Sequence, residues 1–317
     1  MNKILVTGAS GQIGSELVPA LRAKYSDENV IAGWRRKPLT DEVAVGGPSV
    51  HIDVTNRAEV EKVVKSIKPD YIYHLSSILS ASAELNRQAA YAVNFEGVFN
   101  VLEAAVANKT ARVVIPSSIG AFGPETPRIA PNDTIQKPTG LYGISKVFGE
   151  LMGNYYYSAT GVDVRGVRLP GIISWKVEPA AGTTDYAVAI FYGAILECRY
   201  TCYLGPDTRL PMMYMPDAVN SLIGVAEADL GDSRHRADFN VNAVSFTPSE
   251  LAAVIKKRMP EFEMTYEVDP LRQAIADSWP DALDDSVARE EWGWSPQFEL
   301  ATMVEDMFTN LTKKLKG

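Results

Sequence analysis

Residues 4–14, ILVTGASGQIG, restrict the fold of this chain more than any other stretch. A short apolar run ends at Gly8. Gly11 and Gly14 follow at three-residue spacing, and helical periodicity begins at once in IGSELVPALRAKY. A strand that passes through a glycine turn straight into a helix belongs to few architectures. The glycines permit the tight turn, let the backbone approach a pyrophosphate and let the helix pack close, with its N-terminus facing the anion. In that context the GxxGxxG spacing points to dinucleotide binding rather than to a purely structural turn.

The rest of the first half repeats the strand–helix alternation. VIAGW, VHIDV, YIYHLS and RVVIPSS read as strands, and DVRGVRLPG as one further buried strand. RAEVEKVVKSI carries Val60, Val63, Val64 and Ile67 on one helical face, and a long helix is expected from about Leu85 to Ala107. Continuous apolar strands separated by helices predict an α/β protein built on a Rossmann-like doubly wound parallel sheet. After residue 170 proline and glycine become frequent and the elements shorten. This predicts a smaller, discontinuous α/β substrate lobe. The expected division is a dinucleotide-binding domain of residues 1–170 and 215–243 and a substrate lobe of residues 171–214 and 244–317. A chain of 317 residues, 46% apolar, can fill two such cores.

A net charge of −8 argues against a nucleic-acid or anionic-membrane partner. Histidines 51, 74 and 235 lack ligand spacing, so no metal site is expected. Cys198 and Cys202 read as ordinary reduced thiols. There is no run of 18 apolar residues for a membrane span and no signal-like start. The expected compartment is the cytoplasm, or the mitochondrial matrix if a transit peptide lies outside this sequence.

At the end of the second strand stand Trp34, Arg35 and Arg36, where an NAD site commonly has an acid for the ribose. The arginines could receive a 2′-phosphate or be solvated loop charges, so these residues leave NAD and NADP open. Asp53, near the end of VHIDV, is placed for an adenine amino group. Farther on, GLYGISKVFGE puts Tyr142 and Lys146 on one face of a helix. A phenol, with an ordinary pKa of about 10, is a poor base at neutral pH. A neighbouring ammonium favours the phenolate, which can then take a proton from a substrate hydroxyl. Ser118 lies at the end of VVIPSS, on the ligand-facing edge of the sheet, where its hydroxyl could hold the reacting oxygen. Asn94, in AVNFEGVFN, could bridge to the lysine through water or simply bond backbone within its helix.

TGASGQIG, VNFEG and the Ser118, Tyr142, Lys146 set together resemble the extended short-chain dehydrogenase/reductase superfamily, over essentially the whole chain. Within it, PGIISW, GTTDYAV and DTRLPMMYMPDA resemble the short-chain-type L-threonine 3-dehydrogenases. Ile119 and Gly120 replace the Asp-Glu pair of the nucleotide-sugar dehydratases. Leu210 stands where nucleotide-sugar epimerases carry a phosphate-binding arginine. The resemblance implies NAD-dependent oxidation of the threonine 3-hydroxyl, with Ser118, Tyr142 and Lys146 catalytic. The alternative is a nucleotide-sugar 4-epimerase holding NAD. The cofactor positions implied are Gly8, Gly11, Gln12, Ile13, Gly14, Trp34, Arg35, Asp53, Val54, Leu75, Ser76, Ser77 and Asn94, with Tyr142 and Lys146. The substrate positions are Ser80, Ser118, Tyr142, Thr183 and Thr184, and a homodimer is implied through the helix that carries Tyr142.

GTTDYAV leaves one question open. Thr183 or Thr184 could cap the apolar helix that follows, with Asp185 in its first turn. They could equally donate to the carboxylate of a small zwitterion.

Overall fold

The computed structural model describes residues 3–179, 182–231 and 233–316. Six parallel strands form the central sheet: Ile4–Thr7, Val30–Trp34, Ser49–His51, Tyr71–His74, Arg112–Val114 and Asp163–Arg165. Numbered along the chain they lie in the order 3-2-1-4-5-6, the doubly wound arrangement. Their apolar residues are buried on both faces because helices cover both. On one side Ile4 and Val6 pack with Leu17 and Leu21 of the helix Gly14–Tyr25 and with Leu222 and Val225 of Met215–Glu227. On the other, Leu5, Ile72 and Val113 meet Val60 and Val64 of Arg57–Ile67, Leu102 of Gly97–Asn108 and Tyr156 of Leu141–Thr160.

Two expected elements differ in detail. DVRGVRLPG makes two short strands, Asp163–Arg165 and Val167–Leu169. The second pairs with Ser117–Ser118 and Phe239–Asn240 and carries the sheet toward its ligand-facing edge. The long helix expected over 85–107 is divided into Arg87–Tyr91, a π turn Ala92–Glu96, and Gly97–Asn108. Asn86 causes the first break. It leaves helical geometry at φ −139°, and its side chain accepts from the Ala89 N–H, so a new helix starts there.

The remaining elements close over the carboxyl ends of the strands. Gly171–Ile173, Leu210–Tyr214 and Val244–Phe246 form a mixed sheet, parallel between the first two and antiparallel between the last two. Their apolar faces bury against Tyr186 and Phe191 of the helix Tyr186–Glu197, Leu251 of Pro248–Arg258, and Met303 and Phe308 of Leu300–Lys316. No helix among the described residues is long and apolar enough to cross a membrane.

Candidate active site

The glycine turn forms the floor of a cleft at the carboxyl ends of the sheet strands. Gly8 has φ +73°, and a Cβ on it would lie 2.8 Å from the Ser76 nitrogen. A Cβ on Gly14 would lie 2.4 Å from the Gly8 carbonyl oxygen. Only glycines let the first helix start this close to the strand ends. That helix begins with no side-chain cap at Ile13; the Ser15 N–H donates to the Gly11 carbonyl and the Glu16 and Leu17 N–H groups to the Ile13 carbonyl, so its start is tied to the glycine turn by backbone alone. Gly8, Gly11, Gln12, Ile13, Gly14, Leu75 and Ser77 line the cleft.

The second group of expected residues stands at the carboxyl ends of the strands Val30–Trp34 and Ser49–His51. Trp34 meets His51 edge-on at 5.5 Å between ring centres. Arg35 pairs with Asp53 at 2.7 Å, and the other Asp53 oxygen accepts from the Thr55 N–H at 3.0 Å and hydroxyl at 2.8 Å. The Asp53 carboxylate is therefore fully engaged by protein, and Arg35 is tied back to it. Val54 is buried, and its carbonyl accepts from Asn100 at 2.9 Å. These four residues stand outside the lining of the main cleft.

Ser118, Tyr142 and Lys146 come together at the other end of the cleft. Ser118 ends its strand, and its Oγ accepts from the Gly120 N–H at 3.2 Å, which fixes the rotamer. Tyr142 and Lys146 lie one turn apart on the helix Leu141–Thr160. The Tyr142 ring lies over Gly120, where an added Cβ would approach it to 3.1 Å, so this glycine admits the phenol beside Ser118. The Lys146 ammonium donates to the Pro116 carbonyl at 2.9 Å and sits 5.1 Å from the Tyr142 ring centre.

Asn94 bonds backbone, though not within its own helix as expected: its partner is Ile78, in the loop after the fourth sheet strand. Its Oδ1 accepts from the Ile78 N–H at 2.8 Å, and its Nδ2 donates to the Ile78 carbonyl at 2.9 Å and toward Ser145 at 3.3 Å. The π turn presents it to that loop. With Ser76 it borders a small cavity behind the cleft rather than the cleft itself.

The opposite wall comes from the segment before the helix Tyr186–Glu197. Thr183 and Thr184 line the cleft there, and Ser80, at the start of the helix Ser80–Leu85, lines it too. Neither threonine caps the helix, contrary to that expectation. The helix starts after Asp185 with no side-chain cap of its own, and the Asp185 carboxylate instead accepts from the Gly182 N–H at 2.9 Å. A longer, charged acceptor closes the turn, and the hydroxyls stay free of that duty. Leu210 is buried in its strand, and Arg209 points away to Glu250 at 2.5 Å and the Ser245 carbonyl at 2.8 Å.

Trp279 and Asp185 also line the cleft, and sequence reasoning did not select them as site residues. Asp185 stood beside the two threonines and could have been found there. Trp279 follows the helix Pro270–Asp277, far along the chain, and no local pattern marks it.

The sequence model of the NAD dependent epimerase/dehydratase family matches residues 4–241, which include the glycine turn and the Ser118, Tyr142, Lys146 cluster. The chain belongs to this family. It lies within the extended short-chain dehydrogenase/reductases, and its cofactor is NAD. A solved L-threonine dehydrogenase from Clostridium difficile is 46% identical, covers 100% of this chain and 99% of its own, and superposes with a TM-score of 0.97. A monomeric L-threonine 3-dehydrogenase from a metagenome is 39% identical over 98% of this chain and 99% of its own, with a TM-score of 0.93. An uncharacterized epimerase/dehydratase of Staphylococcus haemolyticus is 46% identical over 315 residues, 99% of each chain.

Proposed function

We propose that the protein oxidises the 3-hydroxyl of L-threonine to 2-amino-3-oxobutyrate. One observation carries the reading. A Ser–Tyr–Lys cluster on one wall of the cleft faces two threonine hydroxyls on the other that have no hydrogen-bond partner among the described residues, with no phosphate-binding arginine at Leu210. A short polar wall suits a small zwitterion better than a nucleotide sugar. The 46%-identical Clostridium difficile relative is by name an L-threonine dehydrogenase.

The residue roles follow from chemistry. Tyr142, as phenolate, takes the hydroxyl proton onto its oxygen. Lys146 stabilises that phenolate and reaches toward the nicotinamide ribose. Ser118 donates to the reacting oxygen and keeps it oriented. Thr183, Thr184 and Ser80 donate to the substrate carboxylate, whose burial requires partners. Bound NAD supplies the acceptor for the hydrogen and electron pair that leave C3. Gly8 to Gly14 hold the phosphates, and Arg35, drawn onto Asp53, does not select a 2′-phosphate. The working unit is a homodimer in the cytoplasm. Residues 1–170 and 215–243 bind the dinucleotide, and 171–214 and 244–317 bind substrate.

The test is NADH formation with threonine, compared for NAD and NADP, beside direct titration with a UDP-sugar. Threonine-dependent reduction of NAD is the expected result. UDP-sugar binding without threonine turnover would support the 4-epimerase instead. Tyr142→Phe keeps the ring and removes the base. It should lower the rate constant by about 10²- to 10⁴-fold with NAD binding nearly unchanged. A rate within a few-fold of wild type would remove Tyr142 from the chemistry.

A further inference from the structure

A small cavity of about 20 Å³, room for one water molecule, lies beside Lys146, and His74, Ser117 and Lys146 border the main cleft as well. The small cavity's polar lining includes Lys146, Asn94, Ser117, Ser145 and His74. His74 ends the fourth sheet strand and is buried with its neighbour Thr7, at the end of the first. The His74 Nδ1 and the Thr7 Oγ1 are 2.8 Å apart. The His74 Nε2 is buried with no hydrogen-bond partner among the described residues.

The Thr7 hydroxyl fixes the tautomer. If the imidazole proton sat on Nδ1, it would donate to Thr7, and the threonine proton would have no other acceptor. If Thr7 donates to Nδ1, its proton is satisfied and the imidazole proton sits on Nε2. That arrangement leaves one buried donor, Nε2–H, and the adjacent cavity has room for an acceptor. Burial and the nearby Lys146 charge push the His74 pKa down to about 3, so the ring stays neutral at working pH.

We propose that His74, held as its Nε2–H tautomer by Thr7, fixes one internal water that also accepts from Lys146, and so positions the ammonium beneath Tyr142. The water accepts from the imidazole and the ammonium with its two lone pairs. Its protons can go to the Oγ atoms of Ser117 and Ser145. Those hydroxyls already donate, to Glu150 and to the Tyr142 carbonyl respectively, and retain acceptor capacity. Lys146 is then held at two points, by the Pro116 carbonyl and by the water. The charged groups around it are few. Tyr142 faces it from its own helix, and Glu150 lies across the cavity, held by Arg168 at 2.8 Å. His74 is thus a positioning residue that acts through Lys146.

This inference rests on the roles proposed for Tyr142 and Lys146, and its test separates the two. The first measurement needs no substrate. In protein labelled with ¹⁵N-histidine and loaded with NAD, His74 should show a protonated Nε2 and a bare, accepting Nδ1. It should not titrate through the ordinary histidine range near about pH 6.5. A proton on Nδ1, or titration there, overturns the proposal even if threonine is the substrate. The second measurement is the pH profile of kcat/KM for threonine. His74→Phe should move the rising limb up by about one pH unit, because an untethered ammonium supports the phenolate less. His74→Gln, whose amide N–H can reach the same water, should restore the limb to near its wild-type place. Thr7→Val, which frees the tautomer without changing shape, should shift it part of the way and serves where His74→Phe does not fold. A limb unmoved in His74→Phe and Thr7→Val overturns the positioning role. Loss of threonine turnover in the wild type would overturn the proposed function while leaving the tautomer measurement standing.

Discussion

Thr184 shows how one side chain's role is separated from its neighbours' roles. Asp185, not Thr184, closes the turn on Gly182, so a change at Thr184 should leave the helix start intact. Thr184→Val keeps the methyl that packs toward Gly171, where a Cβ would come within 2.7 Å of it, and deletes only the hydroxyl. Loss of a hydrogen bond to a charged group costs about 1.5–3 kcal/mol, or roughly 10- to 150-fold in kcat/KM for threonine. NAD affinity and thermal midpoint should stay put. A drop of about 1 kcal/mol in stability with unchanged kcat/KM would mean that Thr184 serves the helix after all. His74 makes a second prediction at this scale, on stability. Its folded-state pKa lies near 3, below the ordinary value of 6.5, because burial disfavours the cation. The unfolded chain therefore binds the proton first as pH falls. The stability associated with neutral His74 is complete above about pH 6.5 and is lost progressively below it. Urea midpoints measured downward from pH 7 should fall less steeply in His74→Gln than in wild type. Equal slopes would show that His74 is not kept neutral by the fold.

Elements position these side chains, and one buried ion pair ties several of them together. Arg168, on the strand Val167–Leu169, bonds Glu150 of the Tyr142 helix through two nitrogens, at 3.0 and 2.8 Å. It also donates to the Asn132 carbonyl at 2.7 Å and the Asn240 Oδ1 at 3.1 Å. Glu150 in turn accepts from Ser117, next to Ser118. Arg168→Met leaves a buried carboxylate without its partner and should cost about 3–5 kcal/mol, read as a lower urea midpoint. The double change Arg168→Met with Glu150→Met should recover much of that loss, because no lone charge then remains. A single variant within about 1 kcal/mol of wild type would mean that solvent reaches the site. This cluster also marks the limit of what the sequence makes legible. The parallel sheet and the glycine turn could be read because hydrophobic periodicity and glycine spacing encode them locally. The breaks at Asn86 and Ala92–Glu96 could not, since the surrounding residues keep helical spacing throughout. Nor could the Asp53–Arg35 pair, the Glu150–Arg168 tie or the approach of Trp279 to the cleft. Each joins residues from separate elements, and tertiary packing alone sets their distance.

At the scale of the molecule, the outer face of the Tyr142 helix is more apolar than one subunit uses. Leu151 and Tyr155 are 63% and 60% exposed, and Ile144 is exposed beside them. Tyr91 and Phe99, on the adjoining helical run, are exposed too, and Tyr91 stacks on Phe95 at 5.3 Å. Exposed apolar side chains gathered on two neighbouring helices make the kind of patch that oligomers bury. A two-fold pairing of the helices would let each copy cover the same patch on the other. A stable contact of this sort buries on the order of 1,600 Å² in total. The monomeric metagenome relative shows that a protein 39% identical can do without such a contact, so the surface residues of this chain must decide. Sedimentation at micromolar concentration should give a dimer. Leu151→Lys with Tyr155→Lys should give a monomer, because two like charges would then face their own copies across the two-fold axis. These side chains point away from the cleft, so the variant's kcat shows whether pairing matters to the chemistry. A fall in kcat that tracks dissociation would mean that the Tyr142 helix needs its partner to hold its place. A wild-type monomer at that concentration would end the dimer reading and leave the patch as ordinary surface.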